Sequence, residues 1–371
     1  MDSSTSRTRF INNQGMRGPS PDVQVEISDY IRKNILKGTW TQGDLIPTRA
    51  ELIKQFKTTP VTVQKAMQSL IDDGFLVAKG RRGTFVKDAL PHLNRYALLF
   101  PHDPKEKSIE NAFFYTLGKA ALKISKKDNV DLSCFYNMAI GERSKDYLEL
   151  VRQLKLSNIA GIILAAPPLS LEGSPVLELP NIPRIAFMSS SKYKNISTIT
   201  LDSREVQKKA FEYIKASGKR RPCVVFQQSR YSEEFCNKLI QSVSAFGLEI
   251  RREWIQFANQ QDTRSCFQLA RLLFSKNNKI IPDSLYIADD NMIVDLVSGI
   301  NAELGGKARE IVVCAQANFP NTIKYKLPVK LFGFDLPDLL RQSIAMISQC
   351  RQGNGKMKNL VSEVVESEDC R

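Results

Sequence analysis

The chain has 371 residues, 42% of them hydrophobic and 25% charged, with a formal net charge of +14. That length exceeds one ordinary core and calls for two or three domains. No apolar run approaches the roughly 20 residues that span a bilayer, and the polar N-terminus lacks the apolar stretch of a secretory signal. The expectation is a cytoplasmic protein with no membrane partner, and the basic balance favours a polyanionic one. The charge does not locate a site. Residues 21–88 carry 11 Lys and Arg against 8 Asp and Glu, the first 20 residues net +2, and the remaining +9 lies in residues 89–371.

Seven cysteines, at 134, 223, 236, 266, 314, 350 and 370, form no CxxC pair, and the two histidines, at 92 and 102, complete no zinc-ligand cluster. They read as reduced thiols serving as small buried hydrophobes. No metal and no cofactor is expected.

Residues 1–20 are polar and rich in Gly, Pro, Ser and Asn, and read as a disordered tail. In residues 22–37, Val23, Ile27, Tyr30, Ile31 and Ile35 share one helical face, and Gly38 follows where that helix stops. Thr48 and Glu51 form a T-x-x-E capping box, which starts a second helix ending near Lys57 with Leu52 and Phe56 on its core face. Thr59 caps a third helix with Pro60 at its first position, where a missing N–H costs nothing. Val63, Ala66, Met67 and Leu70 point inward on it; Thr62, Gln64, Lys65 and Gln68 are expected on the outside, and Gly74 ends it. Two short apolar runs, residues 75–78 and 84–86, flank the basic turn Lys79–Gly83 and read as a hairpin wing.

Three short helices and a basic hairpin have a physical use. The third helix can enter a major groove N-terminus first, its polar outer residues can meet base edges, and the wing's arginines can reach phosphates. Thr48, Arg49, Thr59, Pro60, Thr62, Gln64, Lys65, Lys79, Arg81, Arg82 and Gly83 are the expected contacts to double-stranded DNA. The stretch resembles the GntR-type winged helix-turn-helix. The resemblance rests on Gln42-Gly43-Asp44, Pro47-Thr48, Glu51-Leu52, Thr59 to Met67, Asp73-Gly74-Phe75-Leu76 and Gly80 to Val86. Members of that family often carry arginine where this chain has Ala50, Pro60 and Gln64. Gln64 suits adenine better than guanine.

From Arg95 the pattern changes to strands alternating with helices, which predicts parallel α/β sheets. Strands are expected at 96–100, 130–136, 159–166, 184–188 and 198–201, with helices at 111–126 and 145–156. A second series follows, with strands at 223–227, 254–257, 284–288 and 311–315 and helices at 205–216, 233–246, 264–274 and 292–302. Two successive series predict two similar lobes. GxxxxGK[ST], GxGxxG and GxSxG are all missing, so no phosphate loop, dinucleotide site or nucleophile elbow is expected, and no enzyme.

The order of pieces resembles the two-lobed effector domain of the LacI/periplasmic-binding-protein type. The matching segments are Asn111-Ala112-Phe113-Phe114, Ile159 to Leu164, Ile182-Pro183-Arg184-Ile185, Asp202, Ser217 to Arg221, Pro282-Asp283-Ser284 and Asp289-Asp290. A GntR-like head on such a body resembles the arabinose-repressor subgroup, which implies a carbohydrate effector and a homodimer. The resemblance implies ligand contacts at Asp202, Arg230, Asp290 and Gln316. It also shows two departures: Phe235 stands where such domains usually carry a clamping arginine, and Gln316 where they carry an acidic sugar-hydroxyl acceptor. Trp254 reads as packing rather than a sugar-stacking platform.

The expected fold class is α/β: an N-terminal winged helix-turn-helix over 21–88, a linker over 89–94, and a two-lobed α/β domain over 95–371. The expected function is a DNA-binding regulator, a repressor, whose operator binding is modulated by a ligand between the lobes. A constitutive DNA-binding dimer with a degenerate cleft, and a sugar-binding protein that does not act on DNA, remain as alternatives.

Overall fold

The computed structural model describes residues 21–105, 112–128, 130–189, 193–259, 262–351 and 357–368. The tail expected over residues 1–20, together with Asn111 and Cys370, lies outside them. The chain divides into two compact units between Pro91 and His92.

The first unit begins with α1 (Pro21–Leu36), which buries Ile27, Ile31 and Ile35 at its characteristic four-residue spacing. Helix α2 (Arg49–Phe56) starts at the expected capping box: Glu51 N donates to Thr48 Oγ1, and Thr48 N donates to Glu51 Oε2 at 2.7 Å. Thr48 donates to that carboxylate from its N–H and, at 2.9 Å, from its hydroxyl, and the two bonds, the backbone one first, hold the Glu51 carboxyl below its ordinary pKa. Helix α3 (Pro60–Asp72) is capped by Thr59, buries Val63, Ala66, Met67 and Leu70, and ends before Gly74, whose φ of +88° suits a residue without a Cβ. Strands β1 (Leu76–Ala78) and β2 (Thr84–Val86) pair antiparallel, and Leu45 bridges to Phe85 on the far edge. An ion pair ties α1 to the end of α3: Arg32 donates to Asp73 at 2.9 Å with both side chains buried.

A single turn, α4 (Pro91–Asn94), begins at that division, and the second unit has two lobes. The first lobe carries β3 (Arg95–Leu99), α5 (Ala112–Lys127), β4 (Asp131–Phe135), α6 (Lys145–Lys155), β5 (Gly161–Leu164), α7 (Pro175–Glu178), β6 (Arg184–Phe187) and β7 (Ser197–Thr200). The second carries α8 (Ser203–Ala216), β8 (Pro222–Gln227), α9 (Glu233–Ala245), β9 (Ile255–Ala258), α10 (Thr263–Leu273), β10 (Ser284–Ile287), α11 (Ile293–Leu304), β11 (Val312–Phe319) and β12 (Val329–Asp335). Helix α12 (Leu336–Arg351) returns to pack on α5 and β6 of the first lobe. Strands β13 (Leu360–Val361) and β14 (Val365–Glu366) then add one edge to each sheet, giving the orders β13-β7-β6-β5-β3-β4 and β14-β12-β11-β10-β8-β9. Every pairing in the two sheets is parallel except β12 with β14. The chain therefore passes between the lobes three times, after β7, after β12 and after β13.

Central strands covered on both faces are largely apolar, and β5, β6 and β10 are buried along their whole length, their one buried charge, Arg184, donating to the carbonyls of Val176, Ile182 and Leu179. Helices α8 and α9 cover one face of the second sheet, and α10 and α11 the other. The sequence reading stopped at Ala315 and missed β12, α12, β13 and β14. Lys330 interrupts the apolar run of β12, and its partner, Glu366 at 3.4 Å, lies 36 residues away.

Candidate functional site

Two surfaces collect the expected residues. The first is the outer side of α3. Thr59 Oγ1 accepts from Thr62 N at 3.3 Å, and the two hydroxyls lie 2.9 Å apart. Thr62 is 1% exposed, which corrects its expected place on the outer face: its hydroxyl is taken up by the cap and its methyl joins the core. The position it was expected to fill belongs to Val61, which is 56% exposed. Val61, Gln64, Lys65 and Gln68 form an exposed row at helical spacing, with Thr59 and Pro60 at its head. Sequence reasoning passed over Val61 because a β-branched apolar residue reads as core.

Thr48 and Arg49 are exposed at the start of α2, but both the N–H and the hydroxyl of Thr48 are engaged by Glu51. At the wing, Lys79 N donates to Gly83 O at 2.9 Å, and Gly80 and Gly83 take φ of +58° and +108°. Lys79 folds back, its Nζ 4.9 Å from the Phe85 ring centroid. Arg81 and Arg82 occupy a single exposed turn at the tip and have no carboxylate partner among the described residues.

The second surface is a cavity of about 800 Å³ on the second lobe. Asp202, Arg230 and Gln316 all line it, over a floor of Phe226 and Tyr286 with Phe235 on one wall. Asp202 is also the N-cap of α8, its Oδ1 accepting from Arg204 N at 3.0 Å and from Glu205 N at 3.4 Å. Phe235 packs edge-on against Phe226, ring centroids 5.0 Å apart, where a clamping arginine was the family expectation.

Asp290 does not line that cavity. It accepts from Asn318 Nδ2 at 2.8 Å, and burial, then the neighbouring Asp289, push its pKa up to about 6. Its neighbour Asn291, which sequence reasoning also missed, donates to Asp289 Oδ1 from N and Nδ2, while its Oδ1 accepts from Ala112 N at 3.0 Å. That last bond joins the two lobes. Trp254 is 4% exposed and carries Arg251 over its ring, a packing role as expected.

Cys223, Cys236, Cys266 and Cys314 are buried, and burial raises the Cys223, Cys266 and Cys314 thiols. Among the described residues no group of His, Cys, Asp and Glu could hold a metal ion, and no helix is long and apolar enough to cross a membrane.

Residues 23–86 match the family described as bacterial regulatory proteins, gntR family. Curated relatives match over the same stretch. The uncharacterized HTH-type transcriptional regulator YurK of Bacillus subtilis is 32% identical over 78 residues, 21% of this chain and 31% of the relative. The histidine utilization repressor of Klebsiella aerogenes is 35% identical over 75 residues, 20% of this chain and 31% of the relative. The chain thus spans about a third of the length of these relatives.

Solved structures match the rest. A LacI family transcriptional regulator from Lactobacillus casei with bound glucose is 14% identical, covering 74% of this chain and 98% of that one at a TM-score of 0.53. A periplasmic binding protein/LacI transcriptional regulator from Alkaliphilus metalliredigens, complexed with D-xylulofuranose, is 18% identical with the same coverage and TM-score. The Cra transcriptional dual regulator from Pseudomonas putida, in complex with fructose 1-phosphate, is 12% identical, covering 76% of this chain and all of that one at a TM-score of 0.52. The chain therefore joins a GntR-type winged helix-turn-helix to a body with the LacI/periplasmic-binding-protein fold.

Proposed function

We propose that the chain is a transcription regulator, a repressor, that reads duplex DNA with α3 and the β1–β2 wing and senses a small ligand with its two-lobed body. One observation carries the DNA half: a capped helix presents Val61, Gln64, Lys65 and Gln68 in an exposed row, followed by a hairpin whose two tip arginines have no carboxylate partner among the described residues.

The row supplies each kind of contact that a major groove reads. Gln64 can bond bidentately to adenine, the Val61 methyls can pack on a thymine methyl, and Lys65 can reach an acceptor edge or a phosphate. The positive end of the α3 dipole favours a phosphate there, although Pro60 has no N–H and those of Thr62 and Val63 are taken by Thr59. Arg81 and Arg82 act as phosphate contacts, which position the head without reading sequence. Two copies in a homodimer would place two heads on a near-palindromic operator. A ligand that binds one arrangement of the lobes better than the other shifts that equilibrium, and reciprocity requires DNA to alter ligand affinity by the same factor. The protein would act in the cytoplasm.

Equilibrium binding of the full-length protein to duplex DNA across a salt series tests the reading. Each neutralised phosphate contributes roughly 0.9 to the slope of log affinity against log salt, so Arg81→Ala with Arg82→Ala should flatten it by about 1.8 per head. An unchanged slope removes the wing from the interface.

A further inference from the structure

The cavity on the second lobe has a composition that narrows its ligand. We infer that it takes a compound with a flat apolar body and an oxyanion, a carboxylate or a phosphate, rather than a neutral polyol. This deepens the ligand-sensing reading of the body and rests on it.

The floor and one wall are aromatic. Phe226 is 8% exposed and Tyr286 1%, and Phe235 stands edge-on to Phe226. A polyol needs its hydroxyls paired by fixed side-chain donors and acceptors, because each unpaired polar group taken out of water is costly. The two carboxylates that line it are already engaged in part. Asp202 Oδ1 accepts from the backbone of α8, and Glu205 faces Lys208 at 3.4 Å. A planar apolar surface fits these rings better, through stacked or edge-on contacts.

The charges at the mouth do not cancel. Four cations line the cavity, Arg204, Lys208, Arg230 and Lys238. Lys208 faces Glu205 at 3.4 Å, and Lys238 bonds to Glu234 at 2.6 Å. Arg204 and Arg230 have no carboxylate partner among the described residues. A guanidinium presents its donors as a planar fork that matches carboxylate and phosphate alike. One more observation points to a missing acceptor. Gln207 lines the same cavity, and its amide nitrogen is buried without a hydrogen-bond partner. A buried donor without an acceptor is uncommon, and a ligand oxygen would satisfy it.

Calorimetry on the full-length protein separates the parts of this ligand. The probes are benzoate and phenyl phosphate, with benzyl alcohol, inorganic phosphate and D-glucose as comparators. At least one aryl anion should bind, and at least tenfold more tightly than benzyl alcohol, phosphate or glucose. Which of the two binds better identifies the oxyanion. Arg204→Ala and Arg230→Ala, both at exposed positions, should each weaken the preferred probe by roughly tenfold or more, the usual loss for a hydrogen bond to a charged group. Phe235→Ala should weaken it while leaving Arg230 in place. Failure of both aryl anions to bind, tighter binding of glucose, or arginine variants with unchanged affinity would each overturn the inference. A gel shift on the same preparation keeps the readings apart: specific DNA binding beside a failed probe panel leaves the regulator standing and removes only the ligand class.

Discussion

Replacing Asp73 by alanine is expected to destabilise the N-terminal unit by about 3 kcal/mol, the low end of the range for breaking a buried ion pair. The magnitude follows from the surroundings of the pair. The Arg32 and Asp73 side chains are 6% and 9% exposed and meet at 2.9 Å, and the guanidinium lies 5.4 Å from the Phe75 ring centroid. Without Asp73 the cation stays buried, and among the described residues the one carboxylate left to answer it is Asp29, at 3.1 Å and 47% exposed. A unit of this size has a total stability of a few to roughly 10 kcal/mol, so the loss should leave the head close to unfolding. Urea titration followed by tryptophan fluorescence measures it. The chain has two tryptophans, one in each unit, so Trp254→Phe isolates Trp40, which packs edge-on against Tyr30 at 5.8 Å. Adding Arg32→Met to Asp73→Ala should cost clearly less than the two single changes together, since no charge is then left buried. A single-variant cost below about 1 kcal/mol, or strict additivity in the double variant, would refute the reasoning.

Three further outcomes are expected. Gly83→Ala should destabilise the wing by roughly 1–3 kcal/mol, because its φ of +108° disfavours any Cβ and the added atom would come within 2.7 Å of Leu45 Cδ1; a urea midpoint equal to that of the parent contradicts this. Asp290 titrates near pH 6 in the folded chain against an ordinary 3.8, so the fold favours its protonated form. The stability this adds is full below pH 3.8 and is lost as pH rises through 6, a span of about 3 kcal/mol. Asp290→Asn should therefore gain on the parent between pH 4 and 6.5 in a melting series, and a constant offset at every pH would count against it. Val61→Ala and Gln64→Ala should each relax base preference at one operator position by roughly 1–3 kcal/mol, read by competition with single-base variants, and a uniform loss across all sequences would make them phosphate contacts instead.

The head was largely legible because its signals are local. A cap and its partner lie three residues apart in Thr48–Glu51, Pro60 marks a first helical turn, and Gly74 marks an end. Thr62, expected outside, is buried for a physical reason, and Val61, which the pattern left unassigned, is exposed. The hydrophobic effect places apolar residues inside on average, whereas here the second threonine of a capping pair hydrogen-bonds inward and frees the valine to face out. The succession of strands and helices and the two lobes followed from alternation, yet β12 was missed, since the partner of Lys330 comes from the far end of the chain. The ligand surface was legible in part. Asp202, Arg230 and Gln316 converge on one cavity, and the Asp202–Glu205 spacing is a local cap signal like that at Thr48, but nothing local shows that Asp290 turns to Asn318. Such facts depend on which strand ends lie side by side.

The central claim is that the outer row of α3 reads sequence on duplex DNA. Selection of bound duplexes from a randomised pool by the full-length protein tests it most directly. An enriched motif in two inverted halves is the predicted result, with Gln64→Ala loosening one matched position in each half. A pool that stays random after repeated rounds, while the protein remains folded, would contradict it.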